Sequence, residues 1–220
     1  MSPLKSRLIL ASLLGSLTLL QGCVPAVIVG GAAAGVVSVH DRRSTGTQAD
    51  DETMEWKATL RVPDAYRELT HANVTTYNRR VLITGETPSN DAKSAIESSV
   101  RQIEGVREVI NELGVGPASS LGSRSNDSFI TSKVKARLLD SNQISSNHIK
   151  VVTERAVVFL MGIVSERESK LATIIASRTD GVRKVVNLME IVSDAEIKRL
   201  DTPPGAAKPA GSQPAPVENR

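Results

Sequence analysis

The sequence predicts an α+β fold made of two tandem copies of one small unit. Each copy is a three-stranded sheet packed by two helices in the order αββαβ, with a flexible tether before the pair and a flexible tail after it. Three observations predict this. The string GVREVIN at Gly105 returns as GVRKVVN at Gly181, and self-similarity at a fixed offset marks a duplicated structural unit. Within each copy, short β-rich runs joined by tight polar turns read as hairpins. Between each hairpin and the repeated string, apolar residues recur at helical spacing. Unit one is assigned to residues 50–115 and unit two to 126–192. Residues 116–125, GPASSLGSRS, form a Gly/Ser/Pro linker between them.

The chain opens with a basic pair, Lys5 and Arg7, followed by an apolar run from Leu8 to Leu20. That run is about thirteen residues, too short to span a bilayer and right for a signal peptide. It ends in Leu20-Gln21-Gly22-Cys23, which resembles the bacterial lipobox, whose cysteine is acylated before cleavage. Residues 1–22 are therefore expected to be a lipoprotein signal peptide and Cys23 the lipid anchor. Val24, rather than Asp, follows Cys23, and by resemblance to sorted lipoproteins this implies the outer membrane. Residues 23–49 read as a lipidated tether, with a polar stretch from His40 to Gln48. Gly30, Gly31 and Gly35 lack the lysine of a phosphate-binding loop. The whole chain carries 27 Lys and Arg against 24 Asp and Glu, and losing Lys5 and Arg7 leaves 25 against 24. No global field then draws polyanions, so an anionic partner must be met by a local patch.

In unit two, Asp127 or Ser128 can cap a helix that runs to about Asp140. Residues 148–153 and 156–163 form a hairpin that turns at Glu154-Arg155. Val157 to Met161 is apolar throughout, as expected of a central strand or one covered on both faces. Ser165-x-x-Glu168 is a capping box that opens the second helix, with Leu171, Ile174, Ile175 and Arg178 at helical spacing. Gly181 ends that helix in the left-handed conformation, and residues 182–192 form the last strand. Unit one repeats the logic, with a turn at Asn78-Arg79, a second helix using Ala92, Ile96, Val100 and Ile103, and a stop at Gly105. Residues 193–220 are expected to hold a short helix and then a Pro/Ala-rich tail that cannot bury a core.

The glycines Gly85 and Gly162 closing a hairpin strand, with Gly105-Val106-x-x-Val109-x-Asn111 and Gly181-Val182-x-x-Val185-x-Asn187, resemble the BON domain. Two such units behind a lipobox resemble the dual-BON outer-membrane lipoproteins. Residues 125–134 and Phe159-Leu160-Met161-Gly162 are particularly similar to them. The resemblance runs from the signal peptide to about Val192 and leaves the tail outside. It implies an envelope protein on the periplasmic face of the outer membrane, binding anionic phospholipid such as phosphatidylglycerol in the inner leaflet. It also implies support of envelope integrity, possible envelope-assembly proteins as partners, and no catalysis.

The first helix of unit two is where the residues themselves speak to lipid. At 100° per residue from Ile130, Val134 and Leu138 fall at about 40° and 80° and form the core face. Leu139, Ser132, Ala136 and Phe129 fall at about 180°, 200°, 240° and 260°, with Lys135 at about 140° and Lys133 at about 300° beside them. An outward strip of one aromatic, one leucine and small residues, flanked by lysines, is the layout of an interfacial helix. Phe129, Ser132, Lys133, Lys135, Ala136 and Leu139 are thus the candidate lipid-binding residues. The bland alternative is that Phe129 packs against unit one or the Ile144 loop. In unit one the matching helix is expected to turn Trp56 and Leu60 to the core, with Asp51 where Phe129 stands, Glu55 where Lys133 stands and Arg61 where Leu139 stands. Residues 50–61 hold four acids and two bases, so anionic lipid would repel them. Unit one is expected to be a spacer or a protein-docking module.

No HExxH, GxSxG or Walker motif is present, so no catalytic residue is assigned. His40, His71 and His148 are scattered and no metal or cofactor is expected. Arg79-Arg80 lacks interleaved aromatics, which argues against nucleic acid. The competing reading is a non-catalytic scaffold whose units dock protein or peptidoglycan.

Overall fold

The computed structural model describes residues 41–202. The expected signal peptide, Cys23 and the tail from residue 203 lie outside the described residues. Unit one comprises α1 (Thr45–Thr59), the single turn α2 (Asp64–Arg67), β1 (His71–Tyr77), β2 (Arg80–Thr87), α3 (Asn90–Arg101), β3 (Glu108–Asn111) and β4 (Gly114–Val115). Unit two comprises α4 (Leu121–Asp140), β5 (Ile149–Glu154), β6 (Val157–Val164), α5 (Glu166–Ser177), β7 (Lys184–Asn187) and β8 (Glu190–Ile191), and α6 (Asp194–Leu200) follows. Each sheet has its second hairpin strand at the centre, antiparallel to the first and parallel to the third. The expected last strand is split: β4 and β8 are two-residue continuations that pair further along the same central strands.

Local chemistry explains the boundaries. Both hairpins turn on two non-glycine residues in the left-handed region, Asn78 and Arg79 (φ 52° and 63°) and Arg155 and Ala156 (φ 49° and 60°). Paired left-handed residues match the twist of the flanking strands. The second turn lies one residue beyond Glu154-Arg155, because Glu154 still pairs with Val157. Each turn is held by a buried aspartate on the preceding helix. Asp51 accepts from the backbone N–H groups of Asn78 and Arg79 at 2.7 Å each. Asp127 does the same for Arg155 and Ala156 at 2.9 and 2.8 Å. The expected capping box is present: Ser165 Oγ accepts from Glu168 N while Glu168 accepts from Ser165 N. Gly105 and Gly181 have φ of 87° and 93°, and a Cβ there would meet Met54 at 2.5 Å and Ile130 at 3.1 Å.

Two first helices begin earlier than composition suggests. Ser120 Oγ accepts from Ser123 N, so residues 121–125 of the expected linker are the first turn of α4 rather than loop, and Asp127 is spent on the hairpin rather than on a cap. Ser44 caps α1 in the same way, so the stretch expected to be a polar linker through Gln48 is helical from Thr45. In α5 the core face is Ser169, Ala172 and Ala176, with Leu171 and Ile175 at its margin, while Ile174 is exposed.

Helices cover one face of each sheet, and the other faces meet. Val158 and Leu160 of β6 point to the helices of unit two. Phe159 and Met161, with Ile163, join Tyr77 and Leu82 of unit one in a shared cluster. This is why β6 is apolar at every position: each face has its own core. Polar contacts rim the junction, including Asn73 with Glu154 at 2.9 Å, Lys150 with Glu55 at 3.1 Å and Arg107 with Glu190 at 2.6 Å. Burial pushes the Tyr77 hydroxyl up to about 12, aided by Asp41, against the opposing pull of Arg43.

Candidate functional site

α4 is a twenty-residue helix with two unlike sides. Asp127, Ile130, Val134 and Leu138 are buried against the sheet. Away from it, Phe129 is 61% exposed and Leu139 63% exposed. Ser132, Lys135 and Ala136 are exposed beside them, and Lys133 is half-buried. At that exposure Phe129 belongs to none of the buried clusters of either unit, which is not the packing the bland alternative requires.

The two lysines differ in what they touch. The Lys133 ammonium sits 4.9 Å from the centroid of the Phe129 ring, within cation–π range, and donates to the carbonyl of Asp180. Lys135 lies on the opposite flank, by a hollow of about 280 Å³ shared with Arg43, Tyr77, Asn147, Ile149 and Lys150. Ser132 Oγ donates to Ser128 O at 3.0 Å, so this polar position on the strip is satisfied within the helix. The structure thus brings Phe129, Ser132, Lys133, Ala136 and Leu139 onto one outward surface and sets Lys135 at its edge. Cys23 lies outside the described residues.

The matching helix of unit one departs from expectation. Trp56 is 67% exposed and Leu60 53% exposed, while Asp51, Met54 and Ala58 are the buried positions. The true equivalence pairs Asp51 with Asp127, through the turns they hold, and Met54 with Ile130, through the glycines they oppose. Trp56 therefore stands where Ser132 does, Leu60 where Ala136 does and Lys57 where Lys133 does. The expected pairing of Asp51 with Phe129 is two residues out of register. A hollow of about 620 Å³ runs beside Trp56, lined also by Ala49, Glu52, Thr53, Glu55 and Thr59.

Sequence reasoning stopped at the outward strip of α4 and missed the turn whose carbonyls its cations hold. Arg137 donates to the carbonyl of Arg178, next to the site where Lys133 donates to Asp180. The signal was present in the repeated string itself, whose Gly181 ends the neighbouring helix beside Ile130 and Lys133. Among the described residues, no group of three or more His, Cys, Asp or Glu is placed to hold a metal ion. No helix there is long and apolar enough to cross a membrane.

Comparison with known proteins gives a consistent picture. The BON domain profile matches residues 53–117 and 126–193. The chain is 42% identical over 192 residues to the outer membrane lipoprotein DolP of Haemophilus influenzae, covering 86% of this chain and 97% of that one. It is 35% identical over 154 residues to a 21 kDa hemolysin of Actinobacillus pleuropneumoniae, covering 69% and 79%. It is 34% identical over 121 residues to the osmotically-inducible protein Y of Escherichia coli, covering 54% and 60%.

Proposed function

The chain belongs to the BON-domain family in its dual-domain form, and from that premise we propose that it is an outer-membrane lipoprotein, anchored through Cys23 on the periplasmic face, that binds anionic phospholipid such as phosphatidylglycerol and supports envelope integrity. The contact is made by the outward strip of α4. The observation that carries this reading is the exposure of Phe129 and Leu139, at 61% and 63%, on a helix whose opposite face is sealed and whose strip is edged by Lys133 and Lys135.

Magnitudes fit a two-part attachment. Full burial of a Phe or Leu contributes roughly 1.5–3 kcal/mol each, and a lysine near an anionic surface adds about 1 kcal/mol. Such contact is weak for a free protein. A protein already tethered by acyl chains, at ~0.8 kcal/mol per buried CH₂, meets the surface at high effective concentration, and weak contact is then enough to orient it. The chain is read as a binding protein without a catalytic step.

Phe129→Glu tests the reading. The experiment uses the chain without its first 23 residues, which keeps every described residue, 41–202. Co-sedimentation with phosphatidylglycerol vesicles should be lost, with the thermal transition unchanged and parental binding weakened by salt. Undiminished binding by the variant overturns it. One observation favours a second reading, a scaffold that docks protein or peptidoglycan: the exposed Trp56 and Leu60 on the acidic helix of unit one.

A further inference from the structure

The units pack about an approximate two-fold axis, so a contact at one end of their junction has a sister at the other. Asn78, in the first hairpin turn, donates to Glu190 of unit two at 3.0 Å. Its counterpart Arg155, in the second turn, lies over Gly114 of unit one, where a Cβ would collide with the guanidinium. The sheet registers make these positions equivalent, since Glu86 pairs with Gly114 as Ile163 pairs with Glu190. In the same way Tyr77 and Glu154 end β1 and β5, paired with Arg80 and Val157.

The axis relates two pairs of unlike chemistry. At one end, Tyr77 of unit one and Ile163 of unit two lie in the shared apolar cluster. The sister positions at the other end are Glu154 of unit two and Glu86 of unit one. Two carboxyl groups, one from each unit, therefore face each other where an aromatic and an aliphatic side chain meet at the opposite end. Both are buried, Glu86 at 1% exposure and Glu154 at 6%.

Their surroundings do not neutralise two negative charges. Glu86 accepts from Ser119 N at 3.0 Å, and its other oxygen is buried with no hydrogen-bond partner among the described residues. Arg155 Nε stands 3.7 Å from that oxygen, on a side chain 46% exposed, and is the one cation paired with either acid among the described residues. Glu154 accepts from the neutral Asn73 amide at 2.9 Å. His71 of β1 sits opposite Glu86 in the ladder and lies 3.4 Å from the same Asn73. The remaining charged groups around the groove that Glu154 lines are engaged elsewhere. Asp127 of α4 holds the turn N–H groups, Arg124 of α4 donates to the Ser119 carbonyl, and Lys150 of β5 donates to Glu55. Burial pushes the Glu154 carboxyl up, the Asn73 hydrogen bond opposes, and the charges of Glu86 and Asp127 add to the rise against His71. Two neighbouring carboxylates out of water resist ionising together, and one retained proton turns their repulsion into a charge-assisted hydrogen bond.

We propose that Glu86 and Glu154 hold one proton between them across the junction, as a carboxyl–carboxylate pair that locks this end of the two units together and is loosened when the proton leaves to water. The pair makes the junction responsive to pH, and it stands apart from the lipid reading of α4. Glu86 also holds the linker at Ser119, so the lock sits where the chain crosses from one unit to the other.

The test uses the chain without its first 23 residues, with carbon-13 in the glutamate carboxyl groups. NMR titration between pH 4 and 9 should show Glu154 and Glu86 responding in the same steps, because coupled groups titrate as a pair. Glu86→Gln should lower the Glu154 midpoint by about one pH unit or more, since it removes the facing charge and supplies an amide donor. Urea unfolding gives a second readout. Above the midpoint the parental folding equilibrium constant should fall by up to about tenfold per pH unit. Glu86→Gln and Glu154→Gln should each flatten that fall, and the double variant should flatten it no further than either alone. An unchanged Glu154 midpoint in Glu86→Gln overturns the pair. So does a double variant whose effect is the sum of the two singles, which is what two buried acids without a shared proton would give.

Discussion

Arg42 and Arg43 are neighbours in the chain, yet each grips a different unit. Arg42 is 5% exposed and binds unit two, donating to the Ile163 carbonyl and the Glu168 carboxylate at 2.9 Å and to Asp201 at 2.8 Å. Arg43 binds unit one, donating to Asp51 at 2.7 Å and lying 4.0 Å from the centroid of the Tyr77 ring. Burial alone would lower the pKa of either guanidinium. Their carboxylate partners outweigh it, Asp201 and Glu168 for Arg42 and Asp41 and Asp51 for Arg43, and hold both above the ordinary value. The two residues rivet the start of the folded region across the junction of the units.

Removing one half of the rivet should therefore be costly. Arg42→Ala leaves Glu168 and Asp201 without their cation, and breaking such a pair costs about 3 kcal/mol, toward the low end because Asp201 is 38% exposed. Urea unfolding should show this as a lower midpoint. Arg42→Met combined with Glu168→Leu should recover part of the loss, since the apolar pair removes the more buried carboxylate and leaves only the 38%-exposed Asp201 to solvent. A single variant as stable as the parent would show that the clamp does not hold the units.

The half-buried Glu168 and the buried Glu154 should respond to pH in opposite senses. Burial pushes the Glu168 carboxyl up, but hydrogen bonds from Arg42 and Ser165 outweigh it and hold it below its ordinary 4.5. Its contribution to stability is complete above that value and is lost as pH falls through the lower folded value. Glu154 is pushed up by burial, with the Asn73 hydrogen bond opposing and the Glu86 charge adding to the rise. Its contribution is complete below 4.5 and is lost as pH rises through the higher folded value. Glu154→Gln should thus raise the melting temperature at neutral pH, and Glu168→Gln should lower it. Melting curves between pH 4 and 8 would read both, and shifts of the same sign would contradict the assignment.

Trp56 is the single tryptophan of the chain and is 67% exposed, so intrinsic fluorescence reports on the outer face of unit one alone. Its emission should be that of a hydrated indole, readily quenched by acrylamide. Phosphatidylglycerol vesicles should leave the spectrum unshifted while the protein binds them. A blue shift on binding would put unit one on the bilayer and end the division of labour between the units.

What was legible in the sequence was local. The hairpins, the Ser165 capping box and the helix-stopping glycines depend on residues a few positions apart, and their chemistry is written in those positions. The outward strip of α4 was legible because its core face, Ile130, Val134 and Leu138, is strongly apolar and fixes the helix rotation. α1 was not, because its core face is Asp51, Met54 and Ala58 and its largest apolar residues face solvent. A periodicity argument follows the large residues and turns that helix the wrong way. Asp51 and Asp127 looked like surface or capping acids because the N–H groups they satisfy lie more than twenty residues downstream. The junction of the units was invisible for the same reason. Tyr77 and Phe159 meet only once both sheets exist.

The back-to-back sheets have a consequence for how the duplicated copies can drift apart. Tyr77 and Leu82 on one side answer to Phe159, Met161 and Ile163 on the other, so a change in bulk at one obliges a matching change across the seam. The solvent faces of the outer helices, with Trp56 and Leu60 on one and Phe129 and Leu139 on the other, have no such counterpart across the seam. Inheritance can therefore rewrite the exteriors of the twins independently, giving one a greasy cationic brow and the other an acidic one crowned by indole, while their spines remain locked together.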